Sequence, residues 1–278
     1  MRKHKEFKIA APGVIWMKDS SLIDETEVTN LQYLEYCFWI YRTNGYKEYL
    51  KTLPDTSCWL KDNYTTDINF SDVYFRYPAY RDYPIVGISY EQAANYCAWR
   101  TDMVNLMFFI RDHKNFKWDF DSLYNIPIYV EYRLPTKEEW EYAAKAGLDE
   151  KEYPLGFVSL FTKNNIPAAN TKEYYNLTKL NKKLKDSTYF KILAPTENVI
   201  FGKRNKYGYF NILGNVSEMV SDSLIMGLNY QTYLTGQPLY ENGYSISKNV
   251  KYLGPKSWLG FRCICIILPE IKYKKTRY

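Results

Sequence analysis

The sequence is poor in the residues on which most catalytic and metal-binding sites depend. Its 278 residues include only two histidines, His4 and His113. Histidine-based zinc sites, deaminase motifs of the His-x-Glu type and most Ser-His-Asp triads therefore lack their parts. The five cysteines contain no Cys-x-x-Cys pair, which argues against a zinc ribbon or a thioredoxin-like motif. Walker and Gly-x-Gly-x-x-Gly loops are also missing, which excludes the common nucleotide-binding loops.

Long hydrophobic runs are missing as well. The longest, at residues 104–110 and 263–268, fall far short of the ~20 residues that a membrane-spanning helix needs, so we expect no transmembrane segment. The first residues lack the small-residue cleavage pattern of a secretory signal. No signal peptide is visible in this chain, and the residues themselves do not assign a compartment.

The excess of positive charge is small. The chain has 37 Lys and Arg against 31 Asp and Glu, for a net charge of +6. Basic residues concentrate at 179–185 and in a tail at about 270–278. A nucleic-acid-binding face combines basic residues with stacking aromatic rings on a recognisable fold. We interpret the two basic stretches as a solvated loop and a tail, and expect no nucleic-acid partner.

Aromatic residues, by contrast, are abundant. The chain has 29 Tyr, 14 Phe and 7 Trp, which point either to half-buried amphipathic surfaces or to a binding face. Its content of hydrophobic residues (46%) and charged residues (24%) is that of a globular protein. No internal repeat is visible. We predict a single domain over residues 1–278, with an insertion at about residues 101–132.

Capping boxes mark the starts of three helices. In each, the side chain of Ser or Thr accepts a backbone N–H while a Glu or Gln three residues later bonds back. The pairs are Thr29 with Gln32, Ser89 with Gln92, and Thr136 with Glu139. Helical spacing then predicts the buried faces: Leu31, Leu34, Phe38 and Tyr41 before a stop at Gly45; Ala93, Cys97, Arg100 and Val104 in a helix that runs to about Arg111; and Trp140, Ala143 and Ala144 within residues 137–146.

The remainder of the chain predicts short strands and long loops. Residues 154–278 are rich in Asn, Gly, Tyr and Thr, and short apolar alternations such as residues 259–267 are typical of strands. A few helices followed by an irregular, strand-rich remainder favour the α+β class over a βαβ array.

Five sequence blocks, in order, resemble the family of the formylglycine-generating enzyme, or sulfatase-modifying factor. They are IDETEVTN (23–30), YPIVGISYEQAANYCAW (83–99), YRLPTKEEWEYAA (132–144), YGYFNILGNVSEMVSD (207–222) and LGFRC (259–263). The resemblance spans about residues 15–268 and implies an elaborated C-type-lectin-like fold. The motif WRTDMVN (99–105) resembles the Bacteroidota branch that includes gliding-motility and type IX secretion lipoproteins.

The resemblance also implies that the catalytic site of the family is lost. Catalytic members oxidise a sulfatase cysteine to formylglycine with two cysteines that hold copper, shortly after a Gly-Gly-Ser-Trp/Tyr motif. The matching segment here is residues 227–230, and the two cysteine positions fall at about Thr232 and Gln237. Cu(I) selects thiolate ligands, which a hydroxyl and an amide do not replace. We therefore expect no copper cofactor and name no catalytic residue.

Calcium is the cofactor that the resemblance does predict. The family binds it at the position of NILGNVSE through Asn and Glu oxygens with backbone carbonyls, here Asn211, Gly214, Val216 and Glu218. Oxygen-only ligation suits this hard cation. The alternative is a tight turn in which Glu218 accepts backbone donors. A second family site would use Asn170, Thr171 and Asp186, although their spacing departs from the pattern.

A disulfide between Cys97 and Cys263 is the remaining prediction of the resemblance, because these cysteines stand where secreted enzymes of the family have one. Its formation requires an oxidising compartment. The alternative is a pair of buried free thiols, with Cys265 as a competing partner on the same strand face.

The functional hypothesis is a non-catalytic, lectin-like scaffold or binding module that contacts a protein or glycan partner through its aromatic loops in a bacterial envelope assembly. Family analogy places it in the periplasm or cell envelope. The alternative is a metal-dependent oxidase of the same family that acts on an unknown substrate. If the protein is an enzyme, we expect a pocket with titratable residues near Thr232. If it is a binding module, we expect an exposed Tyr- and Trp-rich patch.

Overall fold

Six α-helices and eight strands, with two short 3-10 helices at Pro78–Tyr80 and Ser221–Ser223, make up the regular structure of the described chain. A computed structural model describes residues 12–18, 20–62, 68–113, 126–153, 158–159, 169–172, 195–232 and 248–273. The helices are α1 (Asn30–Asn44), α2 (Tyr46–Thr52), α3 (Cys58–Lys61), α4 (Phe70–Val73), α5 (Tyr90–Asp112) and α6 (Lys137–Lys145). The strands are β1 (Val14–Lys18), β2 (Ser21–Asp24), β3 (Pro127–Arg133), β4 (Ser217–Val220), β5 (Leu224–Met226), β6 (Val250–Lys251), β7 (Leu259–Gly260) and β8 (Ile264–Tyr273).

The strands form two four-stranded sheets. The first has the order β1-β2-β8-β3 with antiparallel pairs, and Cys265 of β8 lies opposite Leu22 on one side and Tyr132 on the other. The second has the order β6-β5-β4-β7, in which β4 and β7 run parallel. The chain passes from β7 directly into β8, so the two sheets are joined at residues 261–263. This mixture of helices and sheets confirms the predicted α+β class.

Side chains of α5 complete the hydrogen bonding of the outer strand β3. The amide of Asn105 donates to the Val130 carbonyl (2.8 Å) and accepts from the Tyr129 and Val130 N–H groups. Thr101 accepts from the Tyr132 N–H at 2.8 Å. Polar helix side chains thus cover an edge that would otherwise expose unpaired main-chain groups. Residues 101–112 of the predicted insertion therefore belong to a core helix, and residues 114–125 lie outside the described chain.

All three capping boxes are confirmed. Thr29, Ser89 and Thr136 each accept the backbone N–H three residues on, and the Gln or Glu at that position bonds back to the cap. Helix α1 ends at Gly45, whose φ of 85° lies in the region that glycine adopts most readily. The buried faces of α5 and α6 also match, since Ala93, Cys97, Trp140 and Ala143 are among their buried residues.

The predicted buried face of α1 is wrong for three of its four residues. The helix buries Tyr33, Tyr36 and Cys37, whereas Phe38 (59% exposed), Tyr41 (46%) and Leu31 (36%) face solvent; Leu34 is half-buried against the core. Aromatic residues occur on both sides of α1, so helical spacing alone did not distinguish the core face. The rings of Tyr33 and Tyr96, 5.7 Å apart, instead join α1 to α5.

The described chain carries no helix that combines the length and hydrophobicity that crossing a bilayer requires. The basic tail begins inside β8, which extends to Tyr273, and residues 274–278 lie outside the described chain.

Candidate functional site

The position of the first predicted copper ligand is held in a tight turn. The Thr232 N–H donates to the Asn229 carbonyl at 2.9 Å, and its hydroxyl accepts from the Asn229 N–H at 3.3 Å. The Asn229 amide in turn donates to the Ser217 hydroxyl at 2.9 Å, which ties this turn to β4. A hydroxyl therefore stands at about the position where the resemblance implies a thiolate ligand. Gln237, the second position, lies outside the described residues.

The cysteines of the chain lie elsewhere, in the core. All five are buried free thiols: Cys37, Cys58, Cys97, Cys263 and Cys265. Burial is the main cause that raises the pKa of the Cys37 and Cys265 thiols to about 11, and that of Cys58 to about 12. Neutral thiols are poor metal ligands, because a soft metal binds the thiolate. The donor set at Thr232 does not fit copper.

A fully buried ion pair occupies the centre of the protein. The guanidinium of Arg262 donates to both Glu218 oxygens, at 2.6 to 3.0 Å, and both side chains are at most 1% exposed. The Trp140 indole N–H donates to the same carboxylate at 2.8 Å. Both Glu218 oxygens are therefore bonded to side-chain donors. This arrangement differs from the backbone-satisfied turn that the sequence left open as the alternative to a calcium ligand.

A second buried carboxylate, Glu27, lies beside the NILGNVSE segment. It is 1% exposed, and the Asn215 amide donates to it at 2.9 Å. The Asn211 amide donates to its other oxygen at 3.4 Å. The oxygen of the Asn215 side chain accepts from the Asn170 amide at 3.0 Å. We call Glu27, Asn170, Asn211 and Asn215 the Glu27 cluster; it brings residues from both predicted calcium sets into one place.

Close backbone packing holds the two halves of the Glu27 cluster together. The Asn215 N–H donates to the Asn170 carbonyl at 2.8 Å. A Cβ atom at Gly214 would lie 2.7 Å from the Ala169 Cβ, so only glycine permits this approach. Asn170 and Thr171 are fully buried. Asp186, the last member of the weaker calcium set, lies outside the described residues.

The Glu27 cluster offers oxygen atoms that lack a positively charged hydrogen-bond donor. The Asn170 Oδ1 atom is buried and accepts no hydrogen bond from the residues that the structure describes. Burial, partly offset by Arg262, raises the pKa of Glu27 to about 7. A buried anion and an unsatisfied carbonyl oxygen are groups that a hard cation would stabilise. The residues present therefore fit calcium, although the described chain has no group of three or more His, Cys, Asp or Glu placed to hold a metal.

The predicted cysteine pair is brought together. The sulfur atoms of Cys97, on α5, and Cys263, before β8, lie 3.5 Å apart in a buried site. Burial holds the pKa of Cys263 well above its usual range, and Asp24 adds to this effect. The chain shows both as free thiols, so the disulfide stays a prediction of the resemblance.

Sequence reasoning missed Glu27, Asn215 and Arg262. All three lie inside the blocks that carry the family resemblance, which was the available signal. Their pairing was not visible, because 188 positions separate Glu27 from Asn215 and 44 separate Glu218 from Arg262.

An exposed row of aromatic rings lies on α1 and α2. Phe38 contacts Tyr41 (ring centroids 6.3 Å apart), Tyr41 contacts Tyr49 (5.6 Å), and Tyr49 contacts Tyr46 (6.1 Å). Phe38, Tyr41 and Tyr46 are exposed, and the exposed Leu50 also lies on α2. We call Phe38, Tyr41, Tyr46 and Tyr49 the aromatic face. It consists of Phe and Tyr rings on two helices, whereas the sequence predicted a Tyr- and Trp-rich patch for a binding module.

Comparison with known proteins agrees with the sequence blocks. A family model described as "Sulfatase-modifying factor enzyme 1-like domain" matches residues 2–267. Curated relatives include "Inactive C-alpha-formylglycine-generating enzyme 2" of Mus musculus, 28% identical over 140 residues, and of Bos taurus, 28% identical over 137 residues. These matches cover 50% and 49% of this chain, and the chain spans only 32% of the length of each relative.

Several solved structures are similar at low sequence identity. PvdO from Pseudomonas aeruginosa is 18% identical with a TM-score of 0.47, covering 89% of this chain and 80% of that one. CarF is 15% identical with a TM-score of 0.45, covering 91% and 93%. Treponema denticola variable protein 1 is 18% identical with a TM-score of 0.43, covering 91% of each chain.

The raised pKa of Glu27 predicts how stability depends on pH without metal. The pKa of Glu27 is about 7 in the folded chain and 4.5 in the unfolded chain. Between pH 4.5 and 7, Glu27 is therefore mostly protonated in the folded protein and mostly ionised in the unfolded chain. The free energy of unfolding should therefore fall by roughly 3 kcal/mol as pH rises from 4.5 to 7, and this contribution should level off above pH 7.

Urea unfolding of metal-stripped protein at several pH values, with Glu27→Gln beside the wild type, isolates this contribution. Glu27→Gln should gain stability relative to the wild type as pH rises through this range. The control is Glu131→Gln, an exposed glutamate on β3, which should leave the pH profile unchanged. A difference between Glu27→Gln and the wild type that does not vary with pH would contradict the prediction.

Proposed function

The chain belongs to the family of sulfatase-modifying factor enzyme 1-like domains, and within this family we propose that it is a non-catalytic member that serves as a scaffold or binding module. The family predicted from the five sequence blocks is confirmed. The observation that carries the proposal is the turn at Thr232, where a hydroxyl bonded to Asn229 stands at about the position at which the resemblance implies a copper-binding thiolate. The names of the curated relatives, which call them inactive, are consistent with it.

The aromatic face supports a binding role. Contiguous exposed apolar side chains mark interaction surfaces in soluble proteins. Tyrosine suits such a surface, because its ring buries a large area while its hydroxyl remains available to a polar partner. We propose that this face contacts a protein partner in a bacterial envelope assembly. The resemblance of residues 99–105 to gliding-motility and type IX secretion lipoproteins of the Bacteroidota is the support for that location.

We also propose that calcium is a structural cofactor. The Glu27 cluster supplies a buried carboxylate and an unsatisfied amide oxygen, both of which suit the ion. Asn211, Gly214 and Val216 contribute as the resemblance expects, with Glu27 as the carboxylate nearest to Asn211. The C-type-lectin-like description of the fold belongs to the same proposal and rests on the resemblance.

The first prediction of this proposal is the absence of formylglycine synthesis. The protein should leave cysteine unchanged in a sulfatase-motif peptide, with or without added copper, because Thr232 provides no thiolate for Cu(I). Mass spectrometry of the peptide measures the product. Oxidation above a control without protein would overturn the non-catalytic assignment and favour the metal-dependent oxidase.

The second prediction concerns calcium. Added calcium should raise the melting temperature of metal-stripped protein, because an ion that binds only the folded state stabilises it by about 3 kcal/mol at ~100 times its Kd. The increase should be larger at pH 8 than at pH 5, since protons compete for Glu27. Differential scanning calorimetry with calcium or a chelator measures the shift.

Variants of the two glutamates identify the carboxylate that binds calcium. Glu27→Gln should remove most of the calcium-induced shift. Glu218→Gln should lower the melting temperature itself, because it breaks the pair with Arg262, yet retain the shift. Loss of the shift only in Glu218→Gln would instead support the ligand set that the resemblance implies. A melting temperature that changes with neither calcium nor chelator would exclude a calcium site in the Glu27 cluster.

The third prediction concerns the aromatic face. Phe38→Glu combined with Tyr46→Glu should abolish co-purification of envelope proteins with the tagged chain, because a desolvated charge at an interface is costly. Leu253→Glu is the matched control, since Leu253 is 81% exposed and lies on a loop between β6 and β7. Both variants should keep the wild-type melting temperature. Recovery of the same proteins with all three chains would contradict the assignment of this surface.

A further inference from the structure

A cleft of about 530 Å³ lies between the first half of α5 and strand β3. We call it the β3 cleft. The apolar residues that line it include Ala94 and Ala98 of α5, Ile128 of β3, Leu134 and Leu268. The volume falls within the range of ligand pockets, about 300–1,000 Å³, and the two alanines leave room on the helix side. The β3 cleft can therefore take up apolar side chains of another molecule.

Polar groups in the lining of the β3 cleft are bonded within the chain. The Thr101 hydroxyl donates to the Cys97 carbonyl at 3.0 Å and accepts from the Tyr132 N–H at 2.8 Å. The guanidinium of Arg133 donates to both oxygens of Glu139, at 2.7 and 2.8 Å. Because these groups already have partners, an apolar occupant leaves none of them unsatisfied.

An exposed leucine lies beside the β3 cleft. Leu253 is the most exposed large hydrophobic residue of the described chain, at 81%. The ring of the preceding Tyr252 lies 6.3 Å from that of Tyr90, which lines the β3 cleft. The Tyr252 N–H also donates to the Ser223 carbonyl at 2.8 Å, in the turn whose Ser221 lines the same cleft. The leucine and the cleft are therefore close neighbours on the surface, although the leucine does not fill the cleft of its own chain.

Opposite charges accompany the leucine and the β3 cleft. Glu131 lines the cleft and is exposed, and Lys251 is exposed on β6, two residues before Leu253. Neither charge forms an ion pair with another residue that the structure describes. Asp102, the other acid of the cleft, has contacts within the chain. An apolar side chain with a base nearby thus lies next to an apolar cleft with an acid at its rim, so the surface is complementary to itself.

We propose that two copies of the chain associate about a two-fold axis, with Leu253 of each copy inserted into the β3 cleft of the other. Because the leucine and the cleft are neighbours, an axis that passes between them forms both contacts at once. Lys251 of each copy then faces Glu131 of the other. The contact is small, so we expect a weak dimer with a Kd of about 100 µM. This surface differs from the aromatic face.

Sedimentation velocity of the full chain from about 5 to 500 µM, a range that spans the expected Kd, tests the association. The wild type should change from monomer to dimer over this range. Growth should stop at the dimer, because a two-fold contact is closed. At about 5 µM the chain should be monomeric, so melting temperatures measured there should not differ between the wild type and Leu253→Glu.

Variants of the leucine and of the cleft then locate the contact. Leu253→Glu and Ala94→Trp should each raise the Kd about tenfold or more, because one places a charge in an apolar cleft and the other fills it. The matched controls are Leu60→Glu, at a leucine of α3 that is 63% exposed, and Asn95→Trp, at the exposed neighbour of Ala94 that does not line the β3 cleft. Both controls should dimerise as the wild type does.

Exchange of the two charges separates a specific contact from a loss of folding. Lys251→Glu and Glu131→Lys should each raise the Kd several-fold, because each places like charges opposite one another. The chain that carries both substitutions should dimerise about as well as the wild type, since the pair is restored with its signs reversed. A general effect on folding would not be repaired by the second substitution.

Four outcomes would overturn the proposal: a monomer at 500 µM, growth beyond the dimer, a Kd that Leu253→Glu and Ala94→Trp leave unchanged, or no recovery in the chain with exchanged charges. The Phe38→Glu and Tyr46→Glu chain should dimerise as the wild type does, and its failure to do so would assign the contact to the aromatic face instead. Failure of the non-catalytic proposal would be seen separately, as formylglycine in the sulfatase peptide.

Discussion

The buried guanidinium of Arg262 is the constraint on which the rest of the structure depends. A charge without contact to water is tolerated only when its donors are bonded. Arg262 donates to the Asp24, Glu25 and Phe210 carbonyls and to the Glu218 carboxylate. Through Glu218 it also fixes the Trp140 indole of α6. Arg262 thus holds these segments together, and loss of either charge of the pair would cost about 3–5 kcal/mol.

The same cation explains the chemistry of the Glu27 cluster. One guanidinium faces two buried acids, and Glu218 takes its hydrogen bonds. Glu27 is left with amide donors from Asn211 and Asn215, which hold an anion less strongly than a charged donor does. Its pKa therefore rises towards neutrality, and a proton or a metal ion can supply the missing positive charge. Stability and pH are thus linked at one carboxylate, where the calcium ion proposed above would compete with protons.

Local signals were sufficient for the helices, but not for the site. A capping box depends on four consecutive residues, so Thr29, Ser89 and Thr136 were predictable as caps. The core face of α1 was not, because both sides of the helix carry aromatic residues such as Tyr33 and Phe38, and the packing of Tyr96 decides between them. The role of Glu218 depends on Arg262, and that of Glu27 on Asn215. Such pairings arise from tertiary packing. A family motif identifies the positions that matter but does not say which residues they contact.

The turn at Thr232 and the buried ion pair meet at β4, where Ser217 accepts from the Asn229 amide and Glu218 accepts from Arg262. The turn at Thr232 is held by Asn229 and by the Lys172 N–H, and none of these residues bonds to Arg262. A hydroxyl in this turn therefore leaves the hydrogen bonds of Arg262 in place. The contacts of Tyr36 and Tyr96 that bury one side of α1 and α5 also hold Trp99 in place. Under the proposed non-catalytic function, the rigid core around Arg262 is retained although the copper ligand is not.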